Sequence, residues 1–312
     1  MKIVFLDADT LGSTSLDPIK ALGELVCYPD SSQEEALDRV SDAEILIVNK
    51  VKVTSALMDA ATNLRLICEA ATGVNNIDLE AAGERGIPVR NVAGYSTDSV
   101  AQLTFCQILS LICGADRFDR EVKDGSYSRS GMFTDVSQPF SELSGKTMGI
   151  IGMGTIGSRV AGIARAFGME VIYYSTSGTS HCTEYPSVTL DELLTTSDVV
   201  SLHCPLNERT RGLIGMRELG MMKPTAIIAN AARGGIIDEQ ALSDAVGSGI
   251  IAGAAVDVFT SEPVPESHPL LHCSRPDRLR LTPHVAWASS EALDRLVKGI
   301  ADNIKESFQN SF

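Results

Sequence analysis

Residues 146–175 constrain this chain more than any other stretch. An apolar, strand-like run at 148–151 passes directly into Gly152-Met153-Gly154-Thr155-Ile156-Gly157. An alanine-rich helical segment then reaches Phe167, and a second apolar run occupies 171–174. Strand, glycine turn, helix and strand in about thirty residues form the unit that cradles a dinucleotide pyrophosphate. The glycines have separate tasks. Gly152 permits the tight turn, Gly154 lets the backbone approach phosphate with no Cβ in the way, and Gly157 lets the helix pack close to the strand. The N–H groups at the helix start, near Thr155 and Ile156, would face the phosphates.

One element of that fingerprint is missing. An acidic residue usually closes the second strand, where it binds the adenosine ribose hydroxyls and repels a 2′-phosphate. Here the place falls at Ser175, followed by Thr176, Ser177, Gly178, Thr179 and Ser180. The carboxylate that would exclude NADP(H) is gone, yet no Arg or Lys lies between Ser175 and Ser180 to grip a phosphate, only hydroxyls and then His181. An ordinary polar loop reads the same way. The sequence therefore specifies NAD(H) or NADP(H) and leaves the choice open.

A chain of 312 residues, 44% hydrophobic and 21% charged, suits a globular protein with two domains, each with its own core. Its net charge of −14 argues against nucleic acid or anionic membrane as a main partner, since both require clustered Lys and Arg. A small anionic substrate remains compatible, because one well-placed Arg can dominate a local field. The cysteines at 27, 68, 106, 113, 182, 204 and 273 are scattered without a C-x-x-C and read as reduced, buried small hydrophobes. The apolar run after Met1-Lys2 is too short for a signal peptide, and the longest apolar runs fall short of a bilayer span, so a cytoplasmic protein is expected. His181, His203, His268 and His272 have no ligand-like spacing with Cys or carboxylates, and no catalytic metal is expected.

The rest of the chain alternates strands with short helices. Before the glycine turn, strands are expected at 3–6, 45–48, 64–68 and 89–92, with helices near 18–25, 34–40, 54–61 and 78–84. After it, strands are expected at 199–202, 226–230, 254–258 and 279–281, with helices at 216–222 and 239–246. This alternation makes an α/β protein with two doubly wound parallel sheets. A mostly apolar helix from Asp98, its expected cap, to about Asp116 suits a connector between domains. Residues 119–145 read as a polar excursion. Leu293, Leu296, Val297, Ile300 and Ile304 follow helical spacing in a last helix at 289–308, which could return to the first domain and make it discontinuous.

Three ionisable residues stand just past expected strand ends, the edge where open α/β sheets bind ligands. Arg233 lies in Asn230-Ala231-Ala232-Arg233-Gly234-Gly235, Glu262 in Ser261-Glu262-Pro263, and His284 in Thr282-Pro283-His284. Any one of them could be a solvated turn residue; the three together point to a site.

With these residues in view, the chain resembles the D-isomer-specific 2-hydroxyacid dehydrogenase family over essentially its whole length, most of all the glycerate dehydrogenase (hydroxypyruvate reductase) branch. The likeness runs through Ala71-Thr72-Gly73-Val74-Asn75-Asn76-Ile77-Asp78, the glycine turn, His203-Cys204-Pro205-Leu206-Asn207-Glu208-Arg209-Thr210, the Arg233 segment, Asp257-Val258-Phe259-Thr260-Ser261-Glu262-Pro263 and Thr282-Pro283-His284-Val285-Ala286-Trp287. It implies a Rossmann-type cofactor domain, residues 100–283, inserted in a flavodoxin-like substrate domain made of 1–99 and 284–312. It also implies a homodimer joined through the cofactor domain, and hydride transfer between a nicotinamide and C2 of a small 2-keto or 2-hydroxy acid, with hydroxypyruvate and glyoxylate as the leading substrates.

The roles that the resemblance carries over suit the residue types. His284 would be the acid and base at the carbonyl oxygen, since an imidazole titrates near neutral pH and serves both directions. Glu262 would hold the other imidazole nitrogen and favour imidazolium, and Arg233 would grip the substrate carboxylate with a permanently charged fork. Backbone amides near Gly73 and Val74 would complete the carboxylate site. Asp257 would hold the nicotinamide carboxamide, with Cys204, Pro205 and Thr210 along the cofactor channel. Trp287 would wall the substrate pocket or else pack in a core. Lys50 would face the substrate across the cleft, although a solvated lysine is the plainer reading. Alternatives are a non-enzymatic NAD(H)-sensing corepressor and a phosphoglycerate dehydrogenase lacking its regulatory domain. Formate dehydrogenase, which pairs its catalytic His with Gln, is disfavoured by Glu262.

Overall fold

The computed structural model describes residues 1–179 and 182–308, so Ser180 and His181 of the polar loop lie outside the described residues. The chain forms two compact units, Met1–Ser96 with Trp287–Phe312, and Thr97–Ala286. These divisions fall a few residues from the expected 99/100 and 283/284. His284, Val285 and Ala286 all bond to Asp257 and so stay with the second unit.

The first unit is built on a parallel sheet of β1 (Lys2–Phe5), β2 (Glu24–Cys27), β3 (Ile45–Val48), β4 (Leu66–Glu69) and β5 (Val89–Arg90), in the order β2-β1-β3-β4-β5. Its central strands alternate between two apolar layers, as a sheet covered on both faces requires. Ile3, Phe5, Ile45, Ile47, Leu66 and Cys68 face the last helix, Ser290–Ser307, through its Leu296, Val297, Ile300 and Ile304. Val4, Leu46, Val48 and Ile67 face the opposite layer with Ala36, Leu57 and Met58. Ser289 caps the last helix by accepting from the Ala292 N–H.

The helix expected near 18–25 is shorter, Asp17–Lys20, and the chain continues instead into β2. Strand β2 pairs only with β1 and is half exposed, so it lacks the apolar run that marks a central strand. Gly23 before it has no room for a side chain, because a Cβ would collide with the Met1 carbonyl.

The second unit has a parallel sheet of β6 (Thr147–Ile151), β7 (Glu170–Tyr174), β8 (Val199–Leu202), β9 (Ile227–Asn230), β10 (Gly253–Val256) and β11 (Leu279–Leu281), ordered β11-β10-β9-β8-β6-β7. Strand order reverses between β6 and β8, making their carboxyl ends the switch point where such sheets take ligands. One face carries Met148, Ile150, Tyr173, Val199 and Ala255 against helices Thr97–Cys113 and Thr155–Ala166. The other carries Ile151, Val200, Leu202, Ile228 and Val256 against Leu193, Leu219, Leu242 and Val246.

The apolar helix ends at Cys113 rather than near 116, because Gly114 turns left-handed (φ 61°) and a second helix, Ala115–Lys123, departs at a 62° bend. Asp98 does not cap it. Asp98 lies in the first turn and pairs with Arg159 at 2.7 Å. Among the described residues no single helix is long and apolar enough to cross a membrane. The cysteines are free, but only Cys68, Cys204 and Cys273 are buried; Cys27 sits on edge strand β2 and Cys106 on the outer side of the apolar helix, both exposed.

Candidate active site

The carboxyl edge of the second sheet carries two adjoining regions. At the switch point, β6 runs into the glycine turn and β8 into His203, whose N–H donates to the Ile151 carbonyl at 2.8 Å. Gly152 has φ 96°, and a Cβ on it would come within 2.8 Å of the Cys204 nitrogen. A Cβ on Gly157 would collide with the Gly152 carbonyl oxygen, so helix and turn pack as closely as the fingerprint requires. Gly154 is the contrasting case, because a Cβ there meets nothing within 4 Å. That open space lies at the N-terminus of helix Thr155–Ala166, where the first turn leaves backbone N–H groups without helical partners. The residues present therefore fit a dinucleotide pyrophosphate.

A groove of about 250 Å³ opens here, lined by Gly152, Met153, Gly154, Ser175, His203 and Pro205 among others. Cys204 also lines it, but burial pushes its thiol up to about 11, so it contributes shape and not a thiolate. His203 is neutral, since burial lowers it to about 4; one ring nitrogen bonds Ser201 Oγ at 2.8 Å and Nδ1 is buried without a partner. Thr210 does not line the groove. Its buried hydroxyl donates to the Pro205 carbonyl at 2.6 Å and accepts the Asn207 N–H at 2.8 Å, which fixes the turn that follows Pro205.

Along the same edge, β9, β10 and β11 deliver Arg233, Glu262 and His284. The Glu262 carboxylate is held from both sides: Oε1 accepts from the Phe259 N–H at 2.9 Å, and Oε2 meets His284 Nδ1 at 2.7 Å. Arg233 follows β9 in a turn closed by Asn230, whose side chain donates to the Arg233 carbonyl and accepts from the Ala232 N–H. Next to it, Gly234 lies so close to the Phe259 carbonyl that no Cβ fits between them. The Arg233 turn thus seats on the same segment that orients Glu262. Strands about 4.8 Å apart place the ends of β9 and β11 about 10 Å from each other, a span suited to a small carboxylate-bearing substrate.

Asp257 has a role the sequence did not foretell. It is fully buried, which pushes its carboxyl above the usual range, and it accepts from Thr282 Oγ1 at 2.5 Å, Val285 N at 3.0 Å and Ala286 N at 2.9 Å. Its own carbonyl accepts the His284 N–H at 2.7 Å. These bonds hold His284 at φ 53°, a left-handed conformation unusual for a bulky residue. The described bonds of Asp257 thus anchor the loop that carries His284.

The remaining expected residues belong to the first unit. Gly73 and Val74 lie in the loop after β4. Trp287 packs partly buried against the core, edge-on to Tyr95, and Lys50 Nζ stands 5.8 Å over the Trp287 ring. The loop bearing Lys50 is positioned by Asp7, whose carboxylate accepts the N–H groups of Asn49, Lys50 and Val51. The motif residues flag the turn and the ionisable trio; Arg209, near the groove rim, is the residue sequence reading passed over.

Comparison with known proteins bears on this geometry. The family model for the NAD-binding domain of D-isomer-specific 2-hydroxyacid dehydrogenases matches residues 105–286. The chain is 36% identical to a hydroxypyruvate reductase of Blautia hydrogenotrophica, over 100% of this chain and 98% of that one. Among solved structures, an acyclic imino acid reductase in complex with NADPH and D-arginine superposes with a TM-score of 0.88 at 30% identity, covering 99% and 98% of the two chains. A D-lactate dehydrogenase of Aquifex aeolicus with NAD and lactic acid gives 0.84 at 29% identity, covering 99% and 96%.

Proposed function

The chain belongs to the D-isomer-specific 2-hydroxyacid dehydrogenase family, and from that premise we propose that it reduces hydroxypyruvate or glyoxylate to D-glycerate or glycolate. One observation carries the reading: the 2.7 Å Glu262–His284 pair sits on the same sheet edge as a glycine turn open to a dinucleotide.

When bound, NADH or NADPH would supply a hydride to the keto carbon, and in the reverse direction the oxidised cofactor would accept one from the hydroxy acid. His284 delivers a proton from Nε2 to the substrate oxygen while Glu262 keeps the proton on Nδ1 and steadies the imidazolium. Arg233 pairs with the substrate carboxylate and draws electron density from the adjoining carbonyl. Gly152, Gly154, Thr155 and Ile156 hold the pyrophosphate. Substrate contacts from Gly73, Val74, Trp287 and Lys50 are proposed on the family resemblance alone.

A cytoplasmic homodimer completes the proposal. Its support is the net charge of −14, the free cysteines and a group of bare apolar side chains on the excursion, with Phe133 95%, Val136 71% and Met132 67% exposed. Light scattering at the mass of a monomer would refute the dimer.

The test of function is direct. Purified protein with NADH or NADPH should consume the cofactor when hydroxypyruvate is added and accumulate D-glycerate, and His284→Ala should lose most of the rate. Tight cofactor binding without turnover across a panel of 2-keto acids would favour the corepressor reading instead.

A further inference from the structure

Residues 175–179, directly after β7, carry no charge of their own, but the fold brings one to them. Ser175 Oγ donates to the Thr179 carbonyl at 2.7 Å and contacts Ser177 Oγ at 3.1 Å, and Ser177 Oγ bonds the same carbonyl at 3.0 Å. The loop is thereby curled into a compact hydroxyl-rich bowl at the end of the groove, and none of the described residues lining the groove is acidic. Arg209, from the turn after β8, reaches it: Nη1 donates to the Ser177 carbonyl at 3.2 Å. The guanidinium is exposed, but its backbone is not loose. Asn207 Oδ1 accepts the Arg209 N–H at 2.9 Å, and Thr210 ties the turn to Pro205, itself a groove residue.

Resting on the reading above, we propose that Arg209 with Ser175, Ser177 and Thr179 forms a site for the 2′-phosphate of the cofactor's adenosine, so that the enzyme prefers NADP(H). The adenosine ribose lies at the end of the second strand of such a unit, which is Ser175 here. A 2′-phosphate at that point carries nearly two negative charges and several acceptor oxygens. It calls for a planar cation and hydroxyl donors and is repelled by a carboxylate. The site supplies the first two and lacks the third. The bond from Arg209 to Ser177 uses one of five guanidinium N–H groups, leaving the fork capable of further hydrogen bonds.

Calorimetric titration of the full chain with NADPH and with NADH reads this without turnover. NADPH should bind about tenfold to a hundredfold more tightly, the worth of one or two charge-assisted hydrogen bonds at an exposed site. Arg209→Ala should abolish that difference while leaving NADH affinity near the wild-type value. Arg209→Lys should keep part of it, and Ser175→Asp should reverse it. The preference should shrink as salt rises. NADPH binding no tighter than NADH, with turnover of hydroxypyruvate intact, would overturn this proposal and spare the enzymatic reading. A preference that survives Arg209→Ala would overturn the role of the guanidinium. If neither cofactor binds, both readings fail.

Discussion

Replacing Asp257 by Asn tests whether a buried carboxylate positions the His284 imidazole proposed as acid and base. Asp257 offers two acceptor oxygens, Oδ1 to Thr282 Oγ1 and Val285 N, and Oδ2 to Ala286 N. An amide offers one, so in either orientation at least one N–H or O–H donor of the loop confronts an NH2 group. Losing a hydrogen bond to a charged acceptor costs about 1.5–3 kcal/mol. Part of that is returned, because burial already disfavours the carboxylate, as its raised pKa records. A net loss of about 1–2 kcal/mol follows, which lowers the melting temperature of a unit of this size by about 2–8 °C.

The same bonds hold His284 in its left-handed conformation, so kcat should fall by about tenfold to a hundredfold as the ring loses its place. Thr282→Val removes one donor to Asp257 and the acceptor for Gln107 Nε2, and should shift both readouts the same way by less. Melting followed by circular dichroism, kcat with hydroxypyruvate, and cofactor affinity by calorimetry together decide the matter. Wild-type melting with lost cofactor affinity in Asp257→Asn would refute the anchoring argument and return the residue to the carboxamide.

Other predictions follow from single contacts. His284→Ala should cut kcat by about a hundredfold to ten-thousandfold, and Glu262→Gln should do less, since an amide can still face Nδ1 and hold the ring in place. Gly154→Ala should melt like the wild type, its Cβ entering open space, yet bind cofactor about tenfold more weakly; equal affinity would mean that the pyrophosphate lies elsewhere. Glu69, buried on β4 with one oxygen accepting from Asn76, is raised by burial to about 8, against about 4.3 in an unfolded chain. Between those values the folded state holds the extra proton, so this group makes stability fall as pH rises from about 4.3 to 8 and level off above. Glu69→Gln should flatten denaturant midpoints across that window, and a slope unchanged from the wild type would exclude the assignment.

The regions legible in sequence were those where one local interaction dominates. The central strand β3 is a continuous apolar run because both its faces are covered, and the glycine turn is visible because sterics admit no side chain at 152 and 157. Edge strand β2 was hidden, for it needs only half an apolar pattern. The bend at Gly114 was hidden by the apolar residues on either side of it. The trio of Arg233, Glu262 and His284 could be picked out by position after strands, whereas the anchoring by Asp257 depends on bonds to residues near 285 that spacing does not encode. Arg209 escaped notice for a similar reason: it lies far along the chain from the serines it reaches, and only the pairing of β6 with both β7 and β8 brings the two loops together.

Both halves of this molecule reverse strand order beside their first strand, and the two reversals are finished differently. In the N-terminal half, the place corresponding to the glycine turn is filled by Asp7, whose buried carboxylate takes successive main-chain amides of the neighbouring loop. That side chain does internally what a nucleotide's phosphate would do for the other half: it quenches amides left unpaired where two strands part company. One acidic side chain thus satisfies, within the first sheet, the kind of amides that the glycine turn of the second leaves for an incoming phosphate.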